Sequence, residues 1–187
     1  GAWPPVRRGD WSDYVAGVAA EYAAEAPLGL GGLAVAVASD VPVGAGVSSS
    51  AALEVAAAAA LAALLARAVA PRALAALAHR AETRFVGVPC GVMDQMASAL
   101  TPAGSALLLD CRTLETSAVP VALDLVLAES GESHALRSGE YAVRRREGDD
   151  ALARLRAAVP SLEMLVDLPP AMLPRLMPLL PPPLDRR

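Results

Sequence analysis

Lysine, isoleucine and asparagine are absent from the 187 residues, and aromatic side chains make up only 3% of them. Without lysine, the phosphate-binding pattern that ends in Gly-Lys-Ser/Thr cannot be present. All 16 basic residues are arginine. The missing types are those with AT-rich codons, so the skew reports a GC-rich coding sequence rather than a chemistry. With few aromatics there is no base-stacking platform. A net charge of −4 gives no general basic footprint either, leaving Arg144, Arg145 and Arg146 as one local cluster, so no nucleic-acid partner is expected. The longest apolar run, residues 55–66, is mostly alanine and too short to cross a bilayer, so no membrane partner is expected. Cys90 and Cys111 form neither a metal-type pair nor a disulfide framework, and no signal peptide precedes them. A cytoplasmic setting is the expectation. The first residue is Gly1 rather than Met, and the sequence reads as a piece of a longer protein.

What is present is globular: 55% of residues are hydrophobic and 19% charged. One stretch organises the rest, Val41-Pro42-Val43-Gly44-Ala45-Gly46-Val47-Ser48-Ser49-Ser50, followed by Ala51, Ala52, Leu53, Glu54 and an alanine run. Alternate glycines permit a tight turn with close backbone approach, and the serines open a strongly helix-forming segment. The first N–H groups of a helix lack intrahelical partners and carry the positive end of its dipole, so a Gly-rich loop feeding such an end can cradle a phosphate. The serine hydroxyls could supplement the amides or ligate a cation. The same spacing also fits a glycine turn with a serine cap.

Along the chain, Trp11, Tyr14, Val15, Val18 and Tyr22 recur at helical spacing behind Asp10 as a candidate cap, an apolar stripe that reads as core. Residues 33–38 place a β-branched or leucine side chain at every second position and predict a strand delivering the chain into the Gly-rich turn. Helices are expected over about 49–69, from Pro71 through residues 72–84, and over 92–100, with Asp94 in a first turn where the dipole alone would favour an acid. Strands are expected at 105–110 and 123–128 around a connection over 112–120, then a helix over 138–158. Eight of the 16 prolines lie from Pro160 onward and allow only short helices there. The order predicts an α/β fold, α+β in two layers.

Phosphoryl transfer needs a cradle, a divalent cation on oxygen ligands and a group that orients or deprotonates the attacking hydroxyl. Residues 44–50 offer the cradle; Glu82 and Asp94 flank a loop containing Gly87 and Gly91. The residues alone reach a candidate Mg-nucleotide enzyme.

The run from Pro42 to Ala52 resembles the central ATP-binding motif of the GHMP kinases. Within that family, Glu82 followed by Phe85-Val86-Gly87-Val88-Pro89-Cys90-Gly91-Val92-Met93-Asp94-Gln95 looks like the galactokinase branch. Asp110-Cys111-Arg112 and then Ser130, Gly131, His134, Leu136, Glu140, Tyr141, Arg144 and Arg145 are similar to the same branch in order and type. The resemblance implies the family's N-terminal domain, of ribosomal protein S5 domain 2-like fold and incomplete, over residues 1–120, and the start of a second domain over 121–187. It implies that Gly44, Ala45, Gly46, Val47, Ser48, Ser49 and Ser50 wrap the triphosphate of ATP, that Trp11 lies by the adenine, and that Ser49 and Glu82 stand near Mg²⁺. Asp94 would be the catalytic carboxylate at the anomeric hydroxyl of galactose, with Gly91 and Tyr141 contacting the sugar. His134 and Cys90 are expected to be structural.

The family's early Arg-Val-Asn-Leu-Ile-Gly-Glu-His-Thr-Asp-type motif and its late glycine-rich motif have no counterpart in these residues. Little or no kinase activity is therefore expected of the 187 residues alone. Another GHMP-family small-molecule kinase, or a non-catalytic nucleotide- or sugar-binding relative, would share the Ser48 to Ser50 loop; the 91–95 block and Tyr141 favour the galactokinase reading over the first of these.

Overall fold

A computed structural model describes residues 5–25, 29, 32–128 and 135–186. It divides into two units, Gly1–Glu132 and Ser133–Arg187.

The first unit is built on three mutually packed helices, α1 (Ser12–Glu25), α2 (Ser49–Leu64) and α3 (Pro71–Arg80), with α4 (Met93–Leu100) against α2 and α3. Their shared core joins Val18, Ala19 and Tyr22 of α1 to Ala58, Leu61 and Ala62 of α2 and Leu77 of α3. Alanine dominates the α2 face, so the helices approach closely, and the Tyr22 hydroxyl donates to the Ala58 carbonyl at 2.9 Å. The stripe read from sequence buries Val15, Val18 and Tyr22, whereas Trp11 is 58% exposed because the helix begins one residue later, at Ser12. Asp13 is buried and accepts from the Arg8 and Gly9 amides, both at 2.7 Å, fastening the preceding loop. Arg80 of α3 bonds Glu21 and Glu25 of α1, each at 2.7 Å.

Helix α2 stops at Leu64, five residues before the expected end at Val69. Ala66 takes a left-handed φ of 51°, and the Ala66 and Arg67 amides reach back to the Ala63 and Ala62 carbonyls at 3.0 and 2.8 Å. That is the Schellman stop, made here with alanine at the position where glycine normally signals it. The expected helix over 72–84 opens at Pro71 as read, then widens into a π turn, Ala81–Val86. The Thr83 hydroxyl takes the His79 carbonyl at 2.7 Å, the acceptor an α-helical Thr83 amide would use, and such back-bonding loosens the ladder.

The expected strand over 33–38 does not form: residues 32–40 are irregular, and Leu33, Val35 and Val37 are exposed. Alternation suits a strand, but a strand also needs a neighbour to bond, and none of the described residues pairs with this stretch. The expected strand over 123–128 is likewise irregular and exposed. The only sheet among the described residues is a hairpin, β1 (Ser105–Leu109) with β2 (Thr116–Pro120), antiparallel with Leu107 opposite Ala118. Its second strand falls inside the stretch read as a connection. Asp110 Oδ1 accepts from the Arg112 and Thr113 amides at 2.7 and 3.1 Å, so the chain reverses at once and pairs immediately. Arg72 of α3 donates to the Leu114 carbonyl and Thr116 Oγ1, holding the hairpin to the helices. The fold is α+β.

The second unit has its own core. Helix α5 (Ala135–Ala158) contributes Ala151 and Leu155, and the proline-rich tail, through the short helix α6 (Leu173–Leu176) and several 3₁₀ turns, contributes Leu162, Leu176, Leu180 and Leu184. Arg156 secures the turn after α5 by donating to the Leu162 and Glu163 carbonyls at 2.8 and 2.6 Å.

Candidate functional site

The Gly-rich loop is exposed over residues 42–46 and enters α2 through three left-handed positions, Gly44 at φ 77°, Gly46 at φ 76° and Ser48 at φ 59°. At Ser48 the conformation costs a non-glycine residue energy, and strain of this kind concentrates at ligand-holding turns. Ser48 occupies the N-cap of α2 without capping it through its side chain, and the first intrahelical bond is Ala52 N–H to the Ser48 carbonyl at 3.1 Å. The amides of Ser49, Ser50 and Ala51 therefore lack helical partners at the positive end of a sixteen-residue helix. This end can receive an anion.

One turn deeper, Glu54 lies four residues after Ser50 and so on the same face of α2. It is fully buried, as is Gln95 of α4. The Gln95 side-chain nitrogen donates to Glu54 Oε2 at 3.2 Å and to Glu82 Oε2 at 2.5 Å, and the Cys90 thiol donates to the same Glu82 oxygen at 3.3 Å. Glu82 is carried by the π turn, an irregularity that often marks functional positions. Burial first, then the neighbouring Glu82, pushes the Glu54 carboxyl up to about 9, the Gln95 hydrogen bond offsetting only part of this. Burial and Glu82 likewise push Cys90 up to about 12, so its thiol stays protonated and unreactive. The Tyr14 phenol on α1 is raised by burial and by Glu82 and Glu54.

Asp94 is half-buried in the first turn of α4, adjacent in sequence to Gln95, and Gly91 is exposed in the loop just before that helix. Glu82, Gln95 and Cys90 are thus in direct contact, with Asp94 next to Gln95 along the chain; the Gly-rich loop is linked to them through α2 and Glu54. Trp11 lies exposed ahead of α1 and takes no part in this cluster. Tyr141, 47% exposed on α5, belongs to the second unit. Ser130, Gly131 and His134 lie outside the described residues.

Sequence reading missed Glu54 and Gln95. Glu54 looks like a solvated helix position, and only its place between the buried Ala51, Val55 and Ala58 marks it as inward-facing. Gln95 carries a plainer signal: it is the one glutamine in a chain without asparagine.

Residues 13–101, which span α1 to α4, match the GHMP kinases N terminal domain. The galactokinase of Bos taurus is 45% identical over 148 residues, 78% of this chain and 37% of that protein. The Homo sapiens galactokinase is 44% identical over the same shares, and that of Chloroflexus aggregans 42% identical over 178 residues, 88% of this chain and 45% of its own length. The crystal structure of Lactococcus lactis galactokinase complexed with galactose superposes with a TM-score of 0.77 over 97% of this chain and 48% of its own, at 24% identity, a likeness of fold. Residues 13–101 form a GHMP kinase N-terminal domain. Within that family its homologues are galactokinases, and it spans less than half the length of each of these relatives.

Proposed function

We propose that this chain supplies the nucleotide cradle and the catalytic carboxylate of a cytoplasmic, galactokinase-like enzyme that transfers the γ-phosphoryl group of ATP to the 1-hydroxyl of galactose. The observation that carries the reading is the link between two helix starts: the left-handed loop opening α2 and the Asp94 turn opening α4 are joined through Glu54, Gln95 and Glu82.

The residues fit the groups the reaction requires. The unpartnered amides of Ser49 to Ala51 and the uncapped serine hydroxyls suit a polyphosphate. No group of three or more His, Cys, Asp or Glu side chains able to hold a metal occurs among the described residues. A nucleotide-bound magnesium asks for less, since phosphates and waters fill most of its shell and one or two protein oxygens suffice. Ser49 and Glu82 would provide them. Both hydrogen bonds to Glu82 fall on Oε2, which leaves Oε1 for that task. Bound Mg-ATP supplies the phosphoryl group and neutralises charge developing on it.

Asp94 then accepts the proton of the sugar hydroxyl, or orients it by accepting its hydrogen bond, as that oxygen attacks the γ-phosphorus and ADP leaves. Gly91 lets the sugar approach the α4 turn. Trp11, with its exposed indole, is assigned to the adenine. The start of the family's second domain is assigned to residues 121–187. Galactose and ATP are small-molecule partners; no helix among the described residues is long and apolar enough to cross a membrane.

Thermal unfolding with Mg-ATP, alone and with galactose, tests the reading. A ligand at a hundred times its Kd stabilises by about 2.7 kcal/mol. The expected outcome is a rise in midpoint with Mg-ATP that Ser49→Ala reduces. A cooperative transition unmoved by Mg-ATP would sink the nucleotide assignment.

A further inference from the structure

A chain of 187 residues with one glutamine and no asparagine has placed its single carboxamide at full burial between two carboxyl groups. Burying an amide is unfavourable unless it is hydrogen-bonded, and leucine or methionine would fill the same volume without that cost. Here the amide also serves its neighbours: a carboxamide nitrogen has two N–H donors, and Gln95 spends them on Glu54 Oε2 of α2 and Glu82 Oε2 of the π turn, which a leucine or methionine would leave without this donor.

We infer that Gln95 is a positioning residue for the metal-binding oxygen of Glu82: by holding Oε2 it fixes the carboxylate plane and turns Oε1 outward toward the cation and phosphates. This rests on the assignment of Glu82 beside Mg²⁺. The shorter of the two hydrogen bonds, 2.5 Å, goes to Glu82, and the Cys90 thiol joins it on the same oxygen, so the restraint falls on one side of the carboxylate. Glu54 anchors the amide from the opposite side. Because Glu54 is also on the Ser50 face of α2, the same amide sets the distance between the phosphate loop and Glu82. Asp94 precedes Gln95 in α4, so a fixed Gln95 also fixes where α4 begins. Partners that orient a metal ligand without touching the metal commonly contribute tenfold to a hundredfold in metal affinity.

The composition makes the test direct, since Gln95 gives the only side-chain carboxamide NH₂ pair in a ¹⁵N-labelled sample of the 187-residue chain. In the unaltered protein with ATP, added Mn²⁺ should broaden that pair selectively at sub-stoichiometric concentration. In Gln95→Met, Mn²⁺ affinity in the presence of ATP should fall about tenfold to a hundredfold, while affinity for ATP without metal stays within about twofold and unfolding stays cooperative. Should Gln95→Met fail to fold, Gln95→Asn, which withdraws the amide by one methylene but keeps a polar group in the pocket, is held to the same criterion. Unchanged Mn²⁺ affinity in the variant, or equal losses with and without metal, would overturn the positioning role while leaving the nucleotide site standing. No broadening in the unaltered protein would instead remove Glu82 from the metal, and the inference with it.

Discussion

At the scale of single residues, the buried carboxyl of Glu54 has a consequence for stability that carries a definite sign. Its folded pKa is raised to about 9 by burial and by Glu82, against an ordinary value of 4.5. The titratable groups facing it are Glu82 on the π turn, Tyr14 on α1 and Cys90 in the following loop, with the neutral Gln95 amide on α4. Between those two pH values the folded chain keeps a proton that the unfolded chain has released, so stability is greatest below the unfolded pKa and is lost as pH rises toward the folded one. The slope from one such group is at most about 1.4 kcal/mol per pH unit. Cys90 and Tyr14, both raised, act only above this window. Glu54→Gln has no proton to lose. It should melt close to the parent at pH 5 and progressively above it toward pH 8; parallel midpoints across that range would show that Glu54 is ionised in the fold. The sequence did not disclose this residue because a glutamate in an alanine-rich helix ordinarily faces water. The loop glycines and Asp94 were legible, since left-handed turns and first helical turns leave local signatures.

At the scale of elements, α1 packs tightly against the π turn at Gly17. A Cβ placed there would meet Phe85 Cβ at 3.1 Å, Phe85 Cδ1 at 3.2 Å and Ala81 Cβ at 3.3 Å. Alanine at a helical glycine ordinarily gains roughly 0.5–1 kcal/mol, whereas overpacking a filled core costs about 1–3 kcal/mol. Two of the three obstructing atoms are Cβ atoms, fixed to the backbone and unable to rotate away, so the second effect wins. Gly17→Ala should lower stability by about 1 kcal/mol in urea unfolding with an unchanged m-value, and a stabilised variant would mean that the π turn yields. The elements themselves were readable to different degrees. Helix starts at Pro71 and near Asp10 carried proline and cap chemistry. The end of α2 did not, because Ala66 adopts a conformation that only a glycine would have announced. The alternation over 33–38 was legible as a preference, but pairing depends on a partner from elsewhere and is not encoded locally. The turn at Asp110 was readable in principle from its Asp-Cys-Arg-Thr run, and missing it displaced the second strand.

At the scale of the whole molecule, protection against amide exchange should follow where the apolar contacts are. In the first unit, α2 and α3 are buried on facing sides, with Ala58, Leu61, Ala75, Leu77 and Ala78 nearly inaccessible. The hairpin has two strands only, with Leu108 and Val119 exposed, and a two-stranded sheet by itself is marginal in water. Residues 32–40 and 122–128 carry no strand pairing. Local opening should therefore cost least in those stretches and the hairpin, and approach the global value only in the helical core. Hydrogen exchange should show the amides of 58–62 and 75–78 as the slowest of the first unit and those of 32–40 as complete within the earliest time points. Mg-ATP should then slow exchange at two separated places, the start of α2 and residues 82–96. In the proposed site the ligand would touch the first through its phosphates, and the second is tied to it by Gln95 and the two carboxyl groups it holds. Protection confined to the start of α2 would mean that the loop binds phosphate without engaging Glu82, and that the link through Gln95 transmits nothing.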